Sequence, residues 1–233
     1  MRLRLASYNV HKCVGLDRRR KPGRIVDVIN EVGADIVALQ EVDLRLGNRP
    51  AALPLHLIEH ETDFHVPDFA PESPSLGWHG QAILIRRGIA IRDIRRILLP
   101  GLEPRGALLA EGEAGGQPFR IVAVHLGLLR RYRLMQMAAI RAAMSTREAM
   151  ATAILGDFNE WSSRDGMAPL ADAFRVHAPG RSFPAARPIA RLDRIALSEG
   201  WHLGDAGVHV SPLARLASDH LPVWADVRLS PDG

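Results

Sequence analysis

Apolar and polar residues alternate through Arg2-Leu3-Arg4-Leu5 ahead of Tyr8, the two-residue period of a strand with one face buried. Ile36-Val37-Ala38-Leu39 is instead a continuous apolar run, which suits a strand covered on both faces. Between them, Pro22 near a first turn, Ile25, Val26, Val28 and Ile29 at helical spacing, and Gly33 as a stop predict a helix. Five prolines (Pro50, Pro54, Pro67, Pro71 and Pro74) make the stretch from Arg49 to Trp78 mostly loop, with one short helix. Gln81–Arg86, Ile89–Ile97, Arg105–Glu111 and Phe119–Leu126 then follow in quick succession, separated by turns such as Glu113-Ala114-Gly115-Gly116, the signature of an antiparallel meander. From Arg130 to Ala149, Leu134, Met137, Ala138, Ile140 and Met144 form an apolar stripe opposite an arginine-rich one, predicting an amphipathic helix. Thr152–Leu155, Leu192–Leu197 and Pro222–Leu229 supply later strands. Strand pairs mixed with covering helices imply an α/β sandwich, expected as one domain over residues 1–233.

The chain's 233 residues, 47% of them hydrophobic, can bury a substantial core. Cys13 is the only cysteine, which removes disulfide frameworks and thiolate zinc clusters from consideration. The opening MRLRLASYNV lacks a signal-like apolar stretch, and no apolar run approaches the roughly 18 residues that span a bilayer. The expectation is therefore a soluble, cytoplasmic, monomeric protein without a transmembrane segment. Net charge is +4, and of 30 Lys+Arg only Lys12 and Lys21 are lysine. That balance suits a polyanionic partner, and equally a solvated surface that happens to be built from arginine.

Several strand ends finish in polar residues able to hold metal or phosphate. Tyr8-Asn9 ends the first strand, Leu39-Gln40-Glu41 the second, and Val124-His125-Leu126 a third; Gly156-Asp157-Phe158-Asn159 follows Ala153-Ile154-Leu155, and Arg191-Leu192-Asp193-Arg194-Ile195 and Ser218-Asp219-His220-Leu221-Pro222 complete the set. Taken singly, each has a bland reading. Asn9 suits a turn, Asp157, Asn159 and Asp219 suit caps, and His125 suits a satisfied core position. Six such segments together imply a cluster at one edge of the sheets. Mg²⁺ takes oxygen ligands, usually one or two carboxylates with water and substrate phosphate, and Glu41 and Asn9 fit that demand. The adjacent Asp219-His220 pair adds a carboxylate and a titratable imidazole, as hydrolysis of a phosphate ester requires.

In this order, the LQEVD, VHLG, GDFN, LDRI and SDHLPV segments after Asn9 resemble the endonuclease/exonuclease/phosphatase superfamily, the deoxyribonuclease-I-like proteins, over residues 7 to 224. The resemblance implies a four-layer α/β/β/α sandwich, two mixed β-sheets flanked by helices, with the site at one end of the sheets. It implies Glu41 as principal ligand of Mg²⁺, for which Mn²⁺ can substitute, with Asn9 and Asp219 helping to hold one or two ions. His220 would be general base or phosphate contact, oriented by Asp193. Asp157 would position or deprotonate the attacking water, and Asn159 and His125 would hydrogen-bond the scissile phosphate. Arg105 opens a strand where some members carry a phosphate-contacting arginine, which makes it a candidate clamp.

The chain has no clear counterpart of the tyrosine that lines the site in apurinic-site endonucleases, and Tyr132, on the amphipathic helix, reads as structural. Arg181, Arg187 and Arg191 lie in a loop expected to overhang the site, either gripping phosphate or merely solvated. Trp78-His79 and Leu53 to Ile58 are candidate lipid contacts, although such residues are more often ordinary core or rim. Substrate class stays open among nucleic acid, membrane phospholipid headgroup esters and small soluble phosphoesters. The alternatives to a phosphodiesterase are a phosphomonoesterase and a binding module of the same fold that has lost catalysis.

Overall fold

A computed structural model describes residues 1–44, 47–162 and 166–230. The chain runs β1 (Arg2–Asn9), α1 (Pro22–Val32), β2 (Ile36–Gln40), α2 (Leu55–Glu61), β3 (Phe64–His65), β4 (Gln81–Arg86), β5 (Ala90–Leu99), β6 (Arg105–Ala114), β7 (Gln117–His125), α3 (Arg130–Ser145), β8 (Ala151–Asp157), β9 (Phe174–His177), β10 (Asp193–Ser198), β11 (Trp201–Val208), α4 (Pro212–Ala217) and β12 (Val223–Leu229). Two six-stranded sheets result, in the orders β11-β12-β1-β2-β4-β3 and β5-β6-β7-β8-β10-β9. Each is mixed: β1 with β2 and β7 with β8 are parallel, the remaining pairings antiparallel.

Three apolar layers hold this together. Leu5, Ile36, Ile83 and Val223 of the first sheet meet Leu108, Ile121, Leu155 and Ile195 of the second in the central layer. Ile25, Val28 and Ile29 of α1 cover the outer face of the first sheet, and Met137 and Ile140 of α3 that of the second. The arrangement is the α/β/β/α sandwich. β2 and β4 are buried along almost their whole length, as their unbroken apolar runs predict, whereas β5 has one solvated face. The β6–β7 hairpin turns through Gly115 (φ +58°) and Gly116 (φ +77°), two consecutive left-handed positions that suit a tight hairpin.

Departures from the sequence expectation have local causes. The helix expected to reach Ala149 stops at Ser145, where the hydroxyls of Ser145 and Thr146 donate to the carbonyls of Ala142 and Ala143. Arg147 turns instead to a carboxylate pair, Glu111 and Asp93, before β8 begins at Ala151. β9, β11 and α4 escaped the apolar pattern because β9 and β11 are sheet edges of mixed composition and α4 is a six-residue helix.

Glu111 sits between two guanidiniums. Its Oε1 accepts from Arg147 Nε and from the buried Arg120 Nε, each at 2.7 Å. The hydrogen bond from Arg147 first, against the opposing effect of burial, and then that from Arg120 hold the carboxyl down at about 2. A carboxylate with a depressed folded-state pKa stabilises the fold above its unfolded value, 4.5, and that contribution disappears as pH falls toward 2. Thermal melts of Glu111→Gln should therefore lie below those of the parent at neutral pH and converge with them between pH 4.5 and 2; a constant gap across that range would contradict the assignment.

Candidate active site

The two-residue period of the strands builds the site. On β1, Leu3 and Leu5 enter the layer between the sheets while Ala6 and Tyr8 face α1, so the same alternation places Ser7 and Asn9 between the sheets. Phe119, Ile121 and Ala123 set the same phase on β7, which ends at His125; Ala153 and Leu155 set it on β8, which ends at Asp157. β10 begins at Asp193 in the phase of Ile195 and Leu197. Register does the rest: His125 and Asp193 both pair with Asp157, and Asn9 pairs with Gln40, directly before Glu41. Asn9 Nδ2 then reaches across to Asp157 Oδ2 at 3.2 Å and joins the two sheets.

A buried polar chain runs from this point. Asp193 Oδ2 accepts from Ser182 Oγ at 2.5 Å and lies 2.8 Å from His220 Nδ1. Because the carboxylate can only accept, Nδ1 carries a proton, which turns Nε2 toward Asp157 Oδ2 at 3.8 Å. His125 Nε2 stands 3.5 Å from the same oxygen. Asp157 Oδ1 accepts from the backbone N–H of Asn159 at 2.8 Å, and Asn159 Nδ2 donates to the Leu126 carbonyl at 2.9 Å. Phe183 lies against the His220 ring with centroids 4.8 Å apart. Burial opposes the charged imidazole of His220, yet the charge and hydrogen bond of Asp193, with Asp157 behind them, push its pKa up to about 10. Burial and the nearby charge of Asp193 push Asp157 up to about 6.

Asp219 is a third exposed, and its Oδ1 lies 3.9 Å from His11 Nδ1. Glu41 is held by backbone on both sides: its carbonyl accepts from Lys12 N at 2.9 Å, and Val42 N donates to the Gly80 carbonyl at 2.9 Å. Its carboxylate is ion-paired with the Lys12 ammonium. Glu41, Asn9 and Asp219 offer two carboxylates and a carboxamide, an all-oxygen set beside a strand end and already attractive to one cation. That chemistry fits a hard divalent ion that keeps several waters. Among the described residues no three His, Cys, Asp or Glu side chains gather into a metal site of their own, so an ion here would depend on the Asn9 carboxamide, water and substrate oxygens beside the carboxylates.

A cavity of about 320 Å³ opens beside these groups, and Lys12, Glu41, Arg49, His79, Arg105 and His125 stand in its wall. Arg105 is largely buried and bonded through Nε and Nη2 to Glu103, at 3.1 and 2.7 Å. Eight non-glycine residues among the described ones take positive φ: His11, Lys12, Cys13, Arg18, Glu41, Arg49, His79 and Asn159. Five of them line this cavity or carry the polar chain, in keeping with the concentration of backbone strain at functional sites.

The structure thus brings Asn9, His125, Asp157, Asn159, Asp193 and His220 into one connected cluster, and puts Glu41 and Arg105 in the adjoining cavity wall. Sequence reasoning missed Lys12, for which no local pattern gives a signal, and the roles of Ser182 and Phe183, which lie in the loop flagged for its arginines. Arg181, Arg187 and Arg191 are exposed. Within the Leu53 to Ile58 stretch, Leu53 and Ile58 take the core reading and are fully buried against the first sheet, while Leu55 is exposed.

A family description, Endonuclease/Exonuclease/phosphatase family, matches residues 6–220. The Escherichia coli K12 protein named "Uncharacterized protein YbhP" is 29% identical over 248 residues, spanning 97% of this chain and 96% of its own. The crystal structure of an endonuclease/exonuclease/phosphatase from Bacteroides vulgatus superposes with a TM-score of 0.79 at 18% identity, covering 99% of this chain and all of that one. A truncated Caenorhabditis elegans TDP2 does so at 0.72 and 16% identity, covering 99% and 98%. With the family pattern running through nearly its whole length on a sandwich of the same shape, the chain belongs to the endonuclease/exonuclease/phosphatase family.

Proposed function

We propose that this protein is a Mg²⁺-dependent phosphodiesterase that hydrolyses a nucleic-acid or phospholipid-type phosphodiester by in-line attack of water. The observation that carries the reading is the buried chain Ser182, Asp193, His220, Asp157 and Asn9, in which an imidazole fixed by a carboxylate meets a second carboxylate at the end of the sheets.

Asp193 and Ser182 orient His220, so that its Nε2 and Asp157 Oδ2 act together on the water and the phosphoryl oxygens. His125 and the Asn159 carboxamide supply hydrogen bonds to the scissile phosphate, and Arg105, its Nε and Nη2 held by Glu103, offers its remaining N–H groups from the cavity wall. Glu41, with Asn9 and Asp219, holds the metal. When bound, the ion neutralises charge that develops on the phosphoryl and leaving-group oxygens. Lys12, ion-paired with Glu41, would share that carboxylate with the ion or give way to it.

Hydrolysis of bis-p-nitrophenyl phosphate should require Mg²⁺ or Mn²⁺, vanish on chelation and return on re-addition. Glu41→Ala and His220→Ala should each lower the rate by at least roughly 10²-fold. Full activity in both purified, folded variants refutes the reading. Asp193→Asn keeps the shape of the side chain but offers an amide to the imidazole; kcat should drop by about 10²-fold or more with KM little changed. An equal loss through KM alone would make Asp193 a substrate-binding group instead.

A further inference from the structure

Two of the left-handed residues have no place in the mechanism above, and they touch each other. Arg49 (φ +51°) donates from Nη1 to Nδ1 of His79 (φ +50°) at 3.0 Å, in the wall of the cavity that also holds Glu41 and His125. Backbone in this region is unfavourable for a side-chain-bearing residue and persists where the surroundings enforce it. They do so here. His79 lies on a tight turn closed by reciprocal hydrogen bonds between Trp78 and Gln81, at 2.9 and 3.1 Å. Gly80, at φ +77°, donates its N–H to Asp43 Oδ2 at 3.1 Å. The imidazole meets the Trp78 ring edge-on with centroids 4.2 Å apart, and Trp78 in turn fills the space that a Cβ on Gly106 would occupy, 2.1 Å from its ring.

Charge sets this pair apart from its neighbours in the cavity. Lys12 is paired with Glu41 and Arg105 with Glu103. Asp43 is the remaining carboxylate in the wall; its oxygens accept from the Ser75 hydroxyl and from the N–H groups of Leu76 and Gly80, and Arg49 acts on it through its charge without a hydrogen bond between them. Among the described residues Arg49 forms no ion pair; its partner is an imidazole that burial, then Arg49 and Arg96, hold below its ordinary pKa and hence neutral. A guanidinium fixed by a neutral acceptor keeps its full charge for a ligand, and an imidazole that accepts at Nδ1 is a donor at Nε2.

We propose that Arg49 and His79 form a second phosphate subsite, which takes a phosphate of the substrate next to the scissile one. The proposal rests on the phosphodiesterase reading and narrows its substrate to molecules with two neighbouring phosphates: consecutive linkages of a nucleotide strand, or a diester whose inositol headgroup is itself phosphorylated. Planar bidentate recognition by Arg with one imidazole donor suits a phosphate oxygen pair.

The test compares matched substrates: pdTpdT against dTpdT, and glycerophosphoinositol 4-phosphate against glycerophosphoinositol. In at least one pair the wild-type enzyme should favour the extra phosphate by about tenfold or more in kcat/KM, the low end for a charge-assisted contact. The pair that shows it identifies the source. Arg49→Asn, which tolerates the left-handed backbone, should remove that preference chiefly through KM, and His79→Asn should weaken it. Inorganic pyrophosphate provides a readout independent of turnover. Calorimetry should find that it binds wild-type protein and Glu41→Gln but binds Arg49→Asn at least about tenfold more weakly. Absence of turnover on every substrate with this pyrophosphate result intact would sink the phosphodiesterase reading and leave the subsite standing. No pyrophosphate binding by the wild type, equal binding by Arg49→Asn, or a substrate preference that survives Arg49→Asn would overturn the subsite.

Discussion

The packing of two sheets face to face fixes everything else about this molecule. Each strand sends every second side chain into the layer between them, and for most of its length that layer must be apolar, because a polar group there would lose water without gaining a partner. At one end the rule reverses. Asn9, His125, Asp157 and Asp193 occupy inward positions that a few residues further along the same strands belong to Leu5, Ala123, Leu155 and Ile195. They remain buried because they largely satisfy one another, Asn9 to Asp157 across the sheets and Asp193 Oδ2 to His220 and Ser182 within one end, while Asp193 Oδ1 is buried without a hydrogen-bond partner. A network of this kind is both rigid and electrostatically strong, since the surroundings that bury it also weaken screening.

Much of this was legible in the sequence, for a physical reason. The apolar runs of β2 and β4 and the helical spacing of α1 are read directly because burial dictates composition there. The clustering of Asn9, His125, Asp157 and Asp193 was legible because polar residues at the ends of apolar strands violate that dictate repeatedly. What stayed hidden depends on distance in the chain. Lys12 pairs with Glu41 only because a left-handed turn after β1 folds it back over the end of β2. Ser182 reaches Asp193 only because its loop is tied down by Leu221 N to the Ser182 carbonyl at 2.9 Å and Ala185 N to the Asp219 carbonyl at 2.7 Å. The side on which Leu53 and Ile58 pack was hidden because the proline-rich stretch around them carries no periodicity; they join α1 on the outer face of the first sheet.

The same loop tells against reading function from composition. Its arginines at 181, 187 and 191, read from the sequence as either a grip on phosphate or a solvated face, are exposed, and the uncharged Ser182 and Phe183 are the residues that touch the polar chain. A charge held in solvent contributes little to orientation. Buried or half-buried guanidiniums with fixed partners, such as Arg105 on Glu103, have their geometry set in advance.

Strands and loops consequently divide the labour. Positions contributed by β7, β8 and β10 are set by hydrogen-bonded register and cannot shift without breaking a ladder, so His125, Asp157 and Asp193 are as fixed as the fold. The facing wall comes from the segments after β2, before β4 and between β5 and β6, which supply Glu41, Arg49, His79 and Arg105. These segments obtain comparable rigidity by another route, through left-handed residues locked by backbone hydrogen bonds and by the wedge of Trp78 over Gly106. Strain of that sort is retained where a side chain must be aimed. The cluster and the cavity wall are therefore held by two different devices, strand register for His125, Asp157 and Asp193 and locked left-handed backbone for Glu41, Arg49 and His79.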